Sequence, residues 1–384
     1  MFPRLCRPSE TQSFFLFGAR GTGKSTLLRQ SRFLKDSLYI DLLKPDVEEQ
    51  YSLHPQLFER QVRALDAEQW VVVDEIQKAP KLLNLAHLLI EERGQKFALT
   101  GSSARKLKRG GANLLAGRAF TYQLFPLSFA EMEDDFDLQN ALEWGNLPRI
   151  VSLSKSEDKA DFLRAYAQNY VKEEIVAEQL VRRLDPFRLF LPIAAQMNAQ
   201  ILNLSNIAQD SGVDHKTIQT YFEILADTHL GFFLNPYGRS VRKAQRQSPK
   251  FYFFDNGVKR ALQKTLTAPM LAGTSEYGDA FETWFINECH RLNSYRRTDF
   301  TFSYLRTKDG LEIDLIVERP GRNPALIEIK SAERIDERHV RGLKSFAADF
   351  PKSDLICASR ITLAQKIEDV WALPWREAFK AIGL

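Results

Sequence analysis

The segment Gly18-Ala-Arg-Gly-Thr-Gly-Lys-Ser25 constrains this chain more than any other stretch of its 384 residues. It fits G-x-x-x-x-G-K-[ST] in full. It stands between an apolar run, Ser13–Phe17 (SFFLF), that reads as a buried strand, and Lys24–Leu34, which reads as a helix. The physical reason for the pattern is electrostatic. Glycines let successive backbone N–H groups turn toward one point, and the helix start adds its partial positive charge. Such a loop receives phosphates. Lys24 places an ammonium on the β- and γ-phosphates, and Ser25 offers a hydroxyl to magnesium.

A second segment supports the first. Gln69–Asp74 (QWVVVD) is apolar enough to be a strand buried on both faces, and it ends in two acids, Asp74 and Glu75. Asp74 is suited to hold magnesium through water, and Glu75 to polarise an attacking water. A further strand, Phe97–Thr100, closes at Gly101-Ser102-Ser103. Thr100 or Ser102 would supply a polar group between the metal and the terminal phosphate. An arginine should neutralise the charge developing there. Arg118 is the best candidate, reaching its own or a neighbour's nucleotide, and Arg105 and Arg109 are weaker ones.

The first third alternates such strands (also Ser37–Asp41 and Phe120–Leu124) with helices (also Leu82–Glu92), the pattern of a parallel α/β sheet. The organisation reads as residues 1–130, a sheet domain; 131–186, a helical segment; 187–240; and 241–384. Hydrophobic residues at 44% and charged ones at 27% exclude a disordered or collagenous chain. The formal charge of +4 implies no nucleic-acid partner by itself, because a basic patch must be local. Cys6, Cys289 and Cys357 are odd in number and far apart, which argues against a disulfide framework and fits a reducing cytoplasm. No apolar run is long enough for a membrane span or a secretory signal. Cys289-His290 reads as structural, and Phe251–Phe254 as a buried strand.

Leu204–Leu225 has the pattern of two helices around a tight turn. Ser205 is placed to cap the first and Asp214 the second, and Gly212 sits where positive φ is needed. Ile218, Tyr221, Phe222 and Leu225 fall on one face. His215, Lys216, Gln219 and Thr220 fall on the other, as groups for phosphates or base edges. Leu230–Tyr237 reads as a wing hairpin. Arg239, Arg242, Lys243 and Arg246 follow and strengthen the case for DNA.

In the last region Gly278–Phe285 begins a helix, and Glu312–Val317 and Leu326–Lys330 read as strands. Alternation puts Ile313, Leu315 and Val317 on one face and Asp314 on the other, and groups Glu328 with Lys330. Paired strands would thus bring Asp314, Glu328 and Lys330 to one spot, with Glu282 approaching from the helix. Glu282, Asp314 and Glu328 are suited to magnesium or manganese, and Lys330 to orienting water in phosphodiester cleavage.

The set GARGTGKS, VVVDEIQK, LTGSS, LAGR with LFPLSF, FYFFDNGV, and FE…EID…EIK resembles a prokaryotic family of AAA-type (P-loop) ATPases. In that family the C-terminal region is a domain of unknown function with a winged helix and a restriction-endonuclease-like PD-(D/E)xK fold. The resemblance spans nearly the whole chain. It implies an α/β fold with a P-loop AAA-type core, a helical segment, a winged helix and an α/β nuclease-like domain. It implies ATP binding by Gly18, Ala19, Arg20, Gly21, Thr22, Gly23, Lys24, Ser25 and Thr26, and hydrolysis through Asp74 and Glu75. Expected cofactors are ATP and magnesium or manganese; expected partners are DNA and further copies of the chain, with no membrane. The expected activity is an ATP-dependent, metal-dependent DNA nuclease. The alternative is a switch ATPase whose nuclease-like domain only binds DNA or a protein.

Overall fold

The computed structural model describes residues 2–103, 117–170, 184–238 and 248–384. Arg105, Arg109, Arg239, Arg242, Lys243 and Arg246 lie outside the described residues.

A five-stranded, all-parallel sheet forms the N-terminal region. Its strands are β1 (Phe14–Phe17), β2 (Leu38–Asp41), β3 (Val71–Asp74), β4 (Phe97–Gly101) and β5 (Phe120–Gln123), in spatial order β2-β3-β4-β1-β5. Helices α1 (Lys24–Gln30), α2 (Pro45–Leu53), α3 (Pro55–Arg63) and α4 (Leu82–Arg93) connect them. Phe15, Phe17, Val71, Val73, Phe97 and Leu99 pack in one apolar cluster, and Phe14, Leu16, Val72 and Ala98 in another. Adjacent residues of each strand thus enter opposite faces, which is why these strands read as unbroken apolar runs. The helix expected to reach Leu34 stops at Gln30. Ser31 is extended (φ −70°, ψ 117°), and Arg32–Leu34 forms a separate 3-10 turn.

Short helices follow: α5 (Phe129–Met132), α6 (Leu138–Trp144), α7 (Pro148–Ser152) and α8 (Ser156–Ala165), the last running into a π-helical turn, Tyr166–Tyr170. The acidic stretch after Ala130 is not uniformly solvated. Glu131 is buried, completes a capping box with Ser128 and accepts from Arg4. Helices α9 (Leu184–Gln196), α10 (Leu204–Ser211) and α11 (His215–Asp227) pack Phe187, Phe190, Ile218, Tyr221, Phe222 and Leu225 into one core. Gly212 (φ 66°) turns between α10 and α11, and Asp214 caps α11 by accepting from Thr217 N. The cap of α10 is Asn203, which accepts from Asn206 N. The helix starts at Leu204, two residues earlier than a Ser205 cap would give, so Ser205 falls in its first turn.

The expected wing is corrected by the topology. β6 (Gly231–Pro236) pairs antiparallel with β7 (Lys250–Phe253) and parallel with β8 (Thr301–Arg306). It is an interior strand of an eight-stranded sheet, order β12-β13-β11-β10-β9-β8-β6-β7, with β9 (Glu312–Glu318), β10 (Ala325–Lys330), β11 (Asp354–Ser359), β12 (Gln365–Ile367) and β13 (Val370–Pro374). After α12 (Asn256–Gln263), the helices α13 (Ser275–Arg296) and α15 (Trp375–Ile382) pack in one cluster with Leu315, Val317 and Ile327, whereas α14 (Glu337–Phe346) packs with Ile313, Ile316 and Leu326. Phe251–Phe253 of the FYFF run are fully buried in β7, Phe254 is buried just beyond it, and Cys289 is buried in α13.

Candidate functional site

The phosphate loop leaves β1 at the C-terminal edge of the parallel sheet. Gly18, Gly21 and Gly23 have φ of 154°, 76° and 98°. At Gly18 a Cβ would lie 2.2 Å from Leu124 O, so only glycine lets the loop pass that neighbour. Lys24 is buried; its ammonium donates to Gly18 O (2.8 Å) and Ala19 O (3.4 Å) and stands 3.8 Å from a Glu75 oxygen. β3 ends at the same edge. Asp74 is buried with both oxygens bonded, Oδ1 accepting from Thr100 Oγ1 at 2.5 Å and Oδ2 from Tyr39 OH at 2.6 Å. Thr100 Oγ1 in turn accepts from Glu75 N at 3.0 Å. That bond secures Glu75 in the left-handed region (φ 61°, ψ 51°), a conformation that costs a non-glycine residue about 1 kcal/mol or more.

Of the two polar candidates on β4, Thr100 is thus built into the acid pair. Ser102 instead accepts from Gln77 Nε2 (3.0 Å), and the same nitrogen donates to Glu75 Oε2. Gln77 and Tyr39 escaped the sequence reading because nothing local marks them. Gly101 carried a weak signal. A Cβ there would lie 2.9 Å from Gln77 Oε1, so the glycine makes room for that amide.

Arg118 requires a correction. β1 and β5 are parallel with Phe14 opposite Phe120 and Phe17 opposite Gln123, so Arg118 precedes the N-terminal end of β5. The loop leaves from the other end, and roughly 13 Å of strand separates them. Arg118 bonds Glu91 of α4 and does not serve its own chain's loop.

The acidic cluster of the large sheet is assembled differently. Tyr304 of β8 faces two residues of β9, Asp314 and Leu315, because the register shifts between Ser303 and Leu305. This bulge breaks the expected alternation: Ile313 joins the α14 side with Ile316, whereas Leu315 and Val317 join the α13 side. β10 pairs with β9 only over Ala325–Ile327. Beyond that, Ile329 N donates to Asp314 Oδ2 at 2.8 Å in place of a ladder carbonyl. Asp314 and Glu328 are each 8% exposed. Burial first, then the charges of Glu328 and Glu282, push the Asp314 carboxyl well above the usual carboxylate range. Burial raises Glu328 too, against the Lys330 ammonium 2.6 Å away. Among the described residues Glu328 Oε2 is buried without a hydrogen-bond partner. Burial works against the charge of Lys330, but Asp314 and Glu328 outweigh it and raise its pKa.

Glu282 departs from its expected place as a third metal ligand. Its Oε1 accepts from Tyr252 OH (2.7 Å) and lies 3.5 Å from Lys250 Nζ, which also pairs with Glu312 at 2.6 Å. Among the described residues no group of three acidic, His or Cys side chains is set to hold a metal ion. Asp314 and Glu328 are brought together with Lys330; Glu282 is drawn to a lysine–tyrosine pair. Lys250, directly before an all-aromatic run, was missed because a lone lysine at a strand start ordinarily reads as solvated. His215, Lys216 and Gln219 are exposed on α11, and Thr220 is half-buried, its hydroxyl donating to Lys216 O.

Residues 10–133 match the family model of the AAA domain. Two further models, both domains of unknown function (DUF8612 and DUF4143), match residues 135–268 and 277–378. The AAA domain thus carries the phosphate loop, Asp74, Glu75 and Thr100, and the third match carries Glu282, Asp314, Glu328 and Lys330. Uncharacterised proteins of Mycobacterium tuberculosis and Mycobacterium bovis are each 24% identical over 262 residues, 68% of this chain. The match spans 58% of the length of those two relatives. An uncharacterised protein of Haemophilus influenzae is 23% identical over 269 residues, 63% of this chain and 67% of its own. Among solved structures, the Aeropyrum pernix ORC1 protein in complex with DNA overlaps 68% of this chain and 88% of its own at 12% identity (TM-score 0.33). The replication initiator DnaA bound to AMPPCP and single-stranded DNA overlaps 56% and 82% at 15% identity (TM-score 0.27). No helix among the described residues is long and apolar enough to cross a membrane.

Proposed function

We propose that this chain binds and hydrolyses ATP at the AAA domain and couples nucleotide state to DNA binding and metal-dependent DNA cleavage by the C-terminal region. The observation that carries the ATPase reading is the meeting of Lys24, Asp74, Glu75 and Thr100 at one sheet edge, in a loop shaped by three glycines. The AAA-domain match supports the same reading. The Lys24 ammonium exchanges two backbone carbonyls for phosphate oxygens. Glu75, held by Thr100 and Gln77, accepts a proton from the water that attacks the terminal phosphorus. The Ser25 hydroxyl and the Asp74 carboxylate are the groups that would hold a magnesium ion, which would supply neutralisation of phosphate charge. In a homo-oligomer Arg118, at the edge remote from its own loop, would serve a neighbour's nucleotide.

DNA cleavage rests on Asp314 and Glu328. Two buried carboxylates that repel one another, one with an orphaned oxygen, are relieved by a hard cation. Those two would hold it, supplying Lewis-acid polarisation of a phosphodiester, while Lys330 orients the attacking water. The exposed His215, Lys216 and Gln219 of α11 support DNA contact. A second reading, a switch ATPase with no cleavage, is favoured by the engagement of Glu282 with Tyr252 and Lys250. Plasmid and linear DNA incubated with the protein, magnesium or manganese, and with or without ATP, beside Asp314→Ala, separates them. Cleavage lost in the variant supports the first reading. No cleavage with intact ATP turnover leaves the second.

A further inference from the structure

Two peptide planes of the phosphate loop are held by side chains from outside the residues matched as AAA domain. Arg4 Nη1 donates to Thr22 O at 2.7 Å, and Tyr166 OH donates to Arg20 O at 2.9 Å. In a trans peptide the N–H points opposite to the C=O. Fixing the Thr22 and Arg20 carbonyls therefore aims the N–H groups of Gly23 and Gly21 away from Arg4 and Tyr166. Among the described residues neither amide donates to a backbone carbonyl, so both are left for an external acceptor. Glycine at these two places would otherwise leave the planes free to rotate.

Each clamp is itself anchored in another part of the chain. The Arg4 guanidinium, 9% exposed, also donates to Phe125 O (2.6 Å), to Glu131 Oε1 of α5 (3.0 Å) and to Tyr295 OH of α13 (3.3 Å). Tyr295 OH accepts from Phe125 N as well, at 2.9 Å. Helix α13 is the element that carries Glu282 near its other end. Tyr166 belongs to the π-helical turn after α8, and its ring lies 3.6 Å from where a Cβ of Gly21 would be.

We infer that Arg4 and Tyr166 are positioning residues of the phosphate cradle, which orient the Gly23 and Gly21 amides toward nucleotide phosphates and make phosphate affinity depend on the helical and C-terminal regions. This rests on the reading of the loop as a nucleotide site. The test uses the full chain and a fluorescent ATP analogue, displaced by ATP and, separately, by inorganic tripolyphosphate, which reports the cradle without base or sugar. Tyr166→Phe removes one oxygen and keeps the ring. It raises the dissociation constants for ATP and tripolyphosphate by the same factor, about fivefold, the worth of one hydrogen bond. Arg4→Met acts in the same direction, and Arg4→Lys, which keeps a donor for Thr22 O, recovers part of the loss. Should Arg4→Met fail to fold because Glu131 is left buried and unpaired, Tyr166→Phe and Tyr295→Phe carry the test; the latter weakens both probes about twofold through Arg4. Wild-type affinity for tripolyphosphate in Tyr166→Phe and Arg4→Lys overturns the inference. So does a loss confined to ATP, which would place the contacts at base or ribose. A wild-type chain that binds neither probe instead defeats the nucleotide reading itself.

Discussion

The two acid-and-lysine sites of this molecule are opposites in their electrostatic preparation. At the AAA-domain loop a buried ammonium is matched to two backbone carbonyls and a carboxylate, and the Asp74 oxygens are both satisfied. At the bulge of β9, burial raises both Asp314 and Glu328, the charge of Glu328 raises Asp314 further, and one Glu328 oxygen has no partner among the described residues. The first site is held in shape by backbone geometry, and in the proposed function it would exchange its internal acceptors for a phosphate. The second is held by pleat and bulge in a state of repulsion that a cation would relieve. The comparison shows that a lysine beside acids is not one kind of site: what matters is which charge remains unanswered.

The largest expected effect breaks the first site alone. Lys24→Ala should lower ATP turnover by at least ~100-fold, the scale for losing a charge aimed at the transition state. Phosphate release measures it; turnover within tenfold of wild type would remove the loop from the mechanism. Asp314→Asn probes the second site. DNA cleavage should fall to background while ATP turnover stays within about twofold. The melting temperature should hold or rise by a few degrees, since neutralising Asp314 relieves burial and repulsion. A fall of several degrees would mean that the carboxylate is a structural acceptor for Ile329 N above all.

A pH series sharpens the comparison along α13, the helix shared by both regions. Burial raises Glu288 to about 7, and burial lowers His290, stacked on Phe232, to about 4. For Glu288 the folded state holds the proton more tightly, so its contribution to stability falls as pH rises from about 4.5 to about 7. For His290 the unfolded state holds it more tightly, so stability rises from about pH 4 to about 6.5. The two slopes oppose one another over most of that window. Glu288→Gln should expose the rising slope and His290→Phe the falling one, read as melting temperature against pH. Parallel curves for all three proteins would discard this account. The smallest effect concerns the DNA face. Lys216→Ala should reduce the salt dependence of DNA affinity by about one unit of log–log slope, without changing ATP affinity. An unchanged slope would take α11 off the DNA.

Much of the AAA-domain site was legible because its constraints are local. Gly18, Gly21 and Gly23 stand where the backbone demands positive φ, the apolar runs stand where a two-sided strand is buried, and Asp214 stands where α11 needs a cap. The β9–β10 cluster was legible only in outline. Strict alternation placed Asp314 opposite Ile313, Leu315 and Val317, and a one-residue bulge undid that pattern. The wing expected from Leu230–Tyr237 became an interior strand because β6 pairs with β8, about 65 residues farther on, as well as with β7. Arg118 read as an arginine for its own or a neighbour's nucleotide, and strand direction put it at the edge of the sheet far from its own loop.

Local sequence was enough for most strands, the phosphate loop and the Asp214 cap, though not for the cap of α10, because φ preference, side-chain burial and capping act within a few residues. Only the tertiary structure decided that Gln77 holds Glu75, that Lys250 holds Glu282, and that Arg4 and Tyr166 clamp the phosphate loop. Those pairings depend on register, strand direction and helix packing. These arise from burial summed over the whole chain, and no local pattern encodes them.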